Sequence, residues 1–165
     1  MSAPSYVLDS NVFIESKKKH YAFDIAPSFW KALIDNAQKG HIESIDRVYK
    51  EILDGQDDLA DWVKTDWPYF AHSGTPAIMA HYGVLMQWSQ NHTQFTTEAK
   101  VEFARADAAD AWLIAYAMNT KATIVTHEDL NLAKKSKILI PVACQHHGVK
   151  FCDTFEMLRK LSIKL

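Results

Sequence analysis

Four acids stand at strand ends or within helical stretches. Asp9 closes the run from Tyr6 to Leu8, and Glu51 lies in a helical stretch after a second strand-like run. Asp110 opens an Ala-rich helical stretch, and Glu128 follows the apolar run Ile124, Val125, Thr126. Carboxylates that converge repel one another, and each resists ionising beside the next. A hard divalent cation, Mg²⁺ or Mn²⁺, makes such a cluster tolerable, because it takes oxygen ligands, keeps several waters and bridges to phosphate oxygens. It also lowers the pKa of a bound water and neutralises charge developing on a phosphodiester. Taken singly, each acid has a plainer reading as a turn residue, a helix cap or a solvated side chain. The combination carries the signal. Asp107 stands three residues before Asp110 and faces the same way on a helix; either can be the third ligand, and Asp110 is preferred because the Ala-rich packing face follows it.

Alternating strand and helix signals must bring these acids together. Strands are read at Ser5–Asp9, His41–Ile45, Ala122–Thr126 and Val149–Cys152, from their short apolar or alternating patterns. Helices are read from Pro27 to Gln38 with Gly40 as stop, from Arg47 to Leu53 capped by Asp46, and from Asp57 to Asp66. Further helices run from Thr75-Pro76 to about Gln90, from Thr96 or Thr97 to Arg105, from Ala108 to Met118 and from Thr154 to Leu161. This order predicts an α/β domain with a mainly parallel sheet, in which ligands gather at the carboxyl ends of the strands. Asp9 and Glu128 then share one edge, and the helix starts bring Glu51 and Asp110 to it.

The whole chain of 165 residues reads as one domain, with 48% hydrophobic and 23% charged residues. That balance excludes disorder. Two separated cysteines exclude a disulfide framework and zinc-finger spacing. No apolar run approaches membrane-spanning length and no secretory leader is evident, which predicts a cytoplasmic protein. A net charge of −2 excludes binding nucleic acid by bulk positive charge. The charge is uneven, however. Residues 121–165 carry eight Lys or Arg against four acids, a surplus of four, which leaves residues 1–120 with six net negative charges. A basic end beside an acidic body suits attraction of an anion to a metal-loaded site.

The residues around the acids resemble the motifs of PIN-domain nucleases. The run Leu8, Asp9, Ser10, Asn11, Val12, Phe13, Ile14 resembles the family's opening motif, an Asp closing the first strand with Asn two residues on. The stretch from Asp110 to Ala117 resembles its third-acid helix, with one extra residue before the Ile-Ala pair. Ile124 to Glu128 resembles its fourth motif, a strand ending Thr-x-acid, with Glu in place of the usual Asp, and Glu51 fits the second acid. The tail with Ile140, Pro141, Cys144, Gly148 and Val149 is similar to a PIN-like subfamily of unknown function.

The resemblance implies a PIN-like three-layer α/β/α sandwich with a twisted, mainly parallel sheet of four or five strands. It further implies a Mg²⁺- or Mn²⁺-dependent endoribonuclease, the toxin half of a toxin–antitoxin pair, with a protein antitoxin from an adjacent gene. Asp9, Glu51, Asp110 and Glu128 would be the catalytic metal ligands, with Asn11 and Thr126 orienting them by hydrogen bonds. Glu128 is in register with the motif, so Asp129, pointing the other way, is assigned as a cap for Leu130–Lys134. Lys134, Lys135 and Lys137 lie near enough in sequence to contact RNA phosphates. His127 is expected to be neutral and exposed, and Trp62 and Trp67 are the aromatic residues to inspect for base stacking. The long segment from Asp57 to Gln94 has no assigned role, and the oligomeric state stays open. The rival class is a non-catalytic PIN-shaped module binding RNA or protein; a phosphatase with Asp9 as nucleophile fits less well, since Asn11 stands where a second Asp is wanted.

Overall fold

A computed structural model describes residues 6–165. Five strands form one parallel sheet in the order β3-β2-β1-β4-β5: β1 (Tyr6–Leu8), β2 (Ile42–Ile45), β3 (Phe70–Ala71), β4 (Thr123–Val125) and β5 (Phe151–Cys152). Helices flank it, in the three-layer PIN-like arrangement expected. The central strand β1 has Val7 and Leu8 fully buried, as a strand covered on both faces must. The first residue of the expected strand, Ser5, lies outside the described residues.

Helix α1 (Ser10–Glu15) follows β1 at once and runs into a π-helical turn, Ser16–His20. Asp9 caps it, accepting a hydrogen bond from the Ser10 N–H at 2.8 Å. Helix α2 (Pro27–Gln38) lays Phe29, Trp30 and Leu33 into the core and ends at Gly40, whose φ of 78° is the left-handed turn glycine allows. Helix α3 (Asp46–Asp54) buries Val48 and Ile52, one turn apart. Asp46 is its first residue rather than its cap: Ile45 holds the cap position, and the Asp46 carboxylate turns to Ser73 and the Arg47 N–H.

The segment 57–94 builds the fold's outer edge. It supplies α4 (Asp58–Thr65), the fifth strand β3 and α5 (Pro76–Asn91), which packs along α7 (Ala109–Thr120). Trp67 is core, not a stacking platform: it is fully buried, and its indole N–H donates to the Leu33 carbonyl at 3.0 Å. Trp62 packs within the same aromatic cluster, 4.9 Å from Trp30 between ring centres. Helix α6 (Thr97–Phe103) leads to α7, buried on nearly every side from Ala111 to Ala117.

No helix forms over Leu130–Lys134, so Asp129 caps nothing. Both leucines there are exposed, leaving the segment no apolar face to bury. Asn131 makes the turn instead, its side chain accepting from the Ala133 N–H at 3.1 Å. Helix α8 (Ile140–His147) begins with Pro141 in its first turn and stops at Gly148, φ 68°. Helix α9 (Thr154–Lys160) is capped by Asp153. Among the described residues no helix is long and apolar enough to cross a membrane.

Candidate functional site

Parallel pairing carries Asp9 and the β4 end to one edge. The Asp9 N–H donates to the Val125 carbonyl at 3.0 Å, which fixes the Asp9 backbone beside Thr126. The Thr126 hydroxyl then donates to the second carboxylate oxygen of Asp9 at 3.1 Å, while accepting from the Glu128 N–H at 3.2 Å. Asp9 is only 2% exposed. Burial pushes its carboxyl well above the usual range, the Glu128 charge adds to this, and the Thr126 and Ser10 hydrogen bonds only partly offset it.

Glu51 reaches the same cavity from α3. Its Oε1 is buried with no hydrogen-bond partner among the described residues. Burial, and then the Asp110 carboxylate, push Glu51 up to about 7. Asp110 enters from the first turn of α7, half-buried and open to the cavity on one side. Its carboxyl is also raised, first by burial and then by Asp9 and Glu128. Glu128 comes from the fourth side, and both its oxygens are engaged. Oε2 accepts from the Lys137 ammonium at 3.0 Å, and Oε1 accepts from the Ile140 N–H, at the start of α8, at 2.7 Å. Burial lowers the Lys137 pKa, but Glu128 outweighs it and holds the amine above the ordinary lysine range.

These four acids line one cavity of about 420 Å³. Asp54, Glu102 and Asp107 add to its acidic wall, against which stand Arg105 and Lys137. The alternative third acid, Asp107, sits exposed on the rim and is gripped by both Arg105 donors, at 3.2 and 2.9 Å. That hydrogen bond holds it below the usual carboxylate range, unlike Asp110.

Three expectations need correction. Asn11 lines the cavity, but its side chain bonds none of the acids among the described residues; the Ser10 N–H takes the orienting role beside Thr126. Lys134 and Lys135 are exposed and stand outside the cavity, because their loop is tied to α6 and Gln94 through backbone carbonyls. His127 is not free in solvent: Nδ1 pairs with Glu15 at 3.0 Å and Nε2 with the Thr154 hydroxyl at 2.7 Å. Asp129 lines a different cavity with His127. The Glu128 contact with the α8 N–H escaped sequence reading, since nothing in the 127–139 segment announces that α8 starts beside it.

The residues fit a hard cation by donor chemistry. All the donors are oxygens, one Glu51 oxygen lacks a partner, and three carboxyls are destabilised as anions. Among the described residues no three potential ligands are yet drawn together as a cage. Mg²⁺ asks for less, since it commonly takes one or two carboxylates and keeps its waters.

The structure is a three-layer α/β/α protein with an acid-lined cavity at the carboxyl edge of its parallel sheet. Residues 6–165 match the family described as Domain of unknown function (DUF4411), and the chain belongs to that family. Its fold is similar to that of a chain in the crystal structure of VapBC2 from Rickettsia felis bound to a DNA fragment from their promoter. The two share a TM-score of 0.54 and 14% identity, over 90% of this chain and 97% of the other. No curated protein matches the sequence significantly.

Proposed function

We propose that the acid-lined cavity hydrolyses RNA phosphodiester bonds with the help of Mg²⁺ or Mn²⁺, and that the protein is the toxin of a toxin–antitoxin pair. The observation that carries this reading is the meeting of Asp9, Glu51, Asp110 and Glu128, from four separate elements, in one cavity. Asp9, Glu51 and Asp110 would hold the ion, with Glu128 completing the set. When bound, such an ion supplies positive charge against the phosphodiester and acidifies water. The chain's own residues do the rest. Thr126 and Ser10 fix the Asp9 carboxylate by hydrogen bonds, so its orientation is set before substrate arrives. Lys137 and Arg105 present cations at the cavity wall, where a phosphate oxygen can take their charge.

Cleavage of single-stranded RNA, with Mn²⁺ or with EDTA, tests the reading. Asp9→Asn keeps the shape and removes the charge, so it should fold and melt cooperatively while losing more than about 100-fold in rate, beyond what an outer partner contributes. Mn²⁺ should also raise the melting temperature of the wild type, because it binds only the native arrangement. Folded Asp9→Asn protein that cuts at the wild-type rate would remove the acid from the mechanism.

One observation favours the non-catalytic rival: Glu128 spends both oxygens on Lys137 and Ile140, as a structural acid would. Mn²⁺ titration of Glu128→Gln separates the two, since a ligand's loss weakens binding and a clamp's loss does not. The antitoxin is proposed as a small protein from the adjacent gene, and the fold likeness to VapBC2 supports it. Co-expression of the two genes and pull-down should recover a complex.

A further inference from the structure

A second cavity lies behind the wall of the first. Helix α1 and the turn after β4 divide them: Asn11, Ile14 and Glu128 line the acid cavity, while Glu15, Ser16, His127 and Asp129 line the other. The second holds about 240 Å³. That is below the roughly 300–1,000 Å³ of sites that enclose a whole small ligand, and it suits one planar ring. Part of its wall is rigid, because His127 is bonded at both nitrogens, to Glu15 and to Thr154. Phe155 also lines it, 48% exposed, with the His20 ring edge-on at 6.5 Å. An apolar ring left in water beside a cavity is a surface for stacking.

Two polar groups there lack partners. Ser16 is 1% exposed, and its hydroxyl, sealed from the cavity, has no hydrogen-bond partner among the described residues. The Asp129 carboxylate bonds to no described residue, and Asp153 commits one oxygen to the Glu156 N–H.

We propose that this cavity is a nucleobase subsite that takes one unpaired base of the RNA, guanine before the others, stacked on Phe155 with its pairing edge toward Asp129. The proposal rests on the nuclease reading of the neighbouring cavity and names what that cavity's substrate presents next door. Guanine's N1–H and N2–H₂ are adjacent donors, which suit a carboxylate, and no other base offers such a pair. Uracil offers one N–H between two carbonyls, which the carboxylates repel. The same acids keep phosphates out, so a base enters and the backbone stays outside. Single-stranded RNA is read in this way, by stacked bases hydrogen-bonded along their pairing edges.

Titration with the four nucleoside monophosphates in EDTA tests the subsite without metal or cleavage. GMP should bind tightest. Phe155→Ala should weaken GMP about tenfold, the scale of one lost base–aromatic stack, and Phe155→Trp should restore it. Asp129→Asn should erase the preference for GMP, whereas Asp9→Asn, in the other cavity, should keep it. Equal affinity for all four nucleotides, or GMP binding untouched by Phe155→Ala in a protein that still melts cooperatively, overturns the proposal. So does absence of nucleotide binding with loss of a protein complex in Phe155→Ala, which would give this face to a protein. GMP binding of the expected pattern in a chain that never cuts RNA upholds the subsite and removes the nuclease; cutting without any base preference does the opposite.

Discussion

Helix α3 carries two acids that the fold treats in opposite ways. Asp46, in its first turn, accepts from the Ser73 hydroxyl at 2.5 Å and N–H at 3.2 Å, from the Arg47 N–H at 3.0 Å, and pairs with His72 at 3.1 Å. Burial pushes its carboxyl up, but Ser73, His72 and Arg47 together hold it below the usual range. Little more than one turn later, Glu51 has a buried oxygen with no partner, and burial and Asp110 push it up to about 7. An acid kept for architecture is wrapped in donors. Glu51, in the cavity, is left short of them, and that shortage is what a cation or a substrate can fill.

The contrast breaks most visibly if the few donors the cavity does have are taken away. Thr126→Val keeps the buried volume but removes the hydroxyl that fixes Asp9 and accepts from Glu128. RNA cleavage should fall about 10–100-fold, the range for an outer-shell partner of a metal site. A rate within twofold of wild type would show that Asp9 needs no orienting bond.

Stability separates Asp46 and Glu51 more gently. Asp46→Asn should cost about 1–2 kcal/mol, since hydrogen bonds to a charged group give way to neutral ones at a partly exposed site. Glu51→Gln should raise the melting temperature slightly in EDTA, because it removes a charge that burial disfavours. Equal destabilisation by both would erase the distinction.

A further effect is in pH. The folded-state pKa of Glu51 is raised from 4.5 to about 7, so the folded protein holds a proton that the unfolded chain has released across that window. Metal-free stability should therefore fall as pH rises through it, with Asp9 and Asp110 contributing in the same direction. Asp46, lowered instead, contributes stability that is lost only at more acid pH. Melts in EDTA between about pH 5 and 8 should show the decline, and Glu51→Gln should flatten it.

Much of this was legible because four strands and their terminal acids are written locally. The runs ending at Leu8 and Val125 are apolar, and each is followed directly by a polar residue at the edge. The rest depends on contacts that no local pattern carries. β3 has two residues, too few for any period, and its place is set by pairing with β2. Asp129 looked like a cap because it precedes a helix-compatible run, but that run has no apolar face to bury. His127 looked exposed until Glu15 and Thr154, distant in sequence, closed on its two nitrogens.

The bond from Thr126 to Asp9 spans 117 positions of chain. Until β4 has left the ribosome, the central strand lacks one of its two neighbours and Asp9 has no hydroxyl to hold it. Synthesis at about 5–20 residues per second makes that an interval of several seconds or more, and pairing over such separations is slow to nucleate. The cavity is therefore among the last parts of the molecule to exist. A nascent chain that already carries Asp9 and Glu51, but not yet Asp110, Thr126 or Glu128, has no assembled acid cavity.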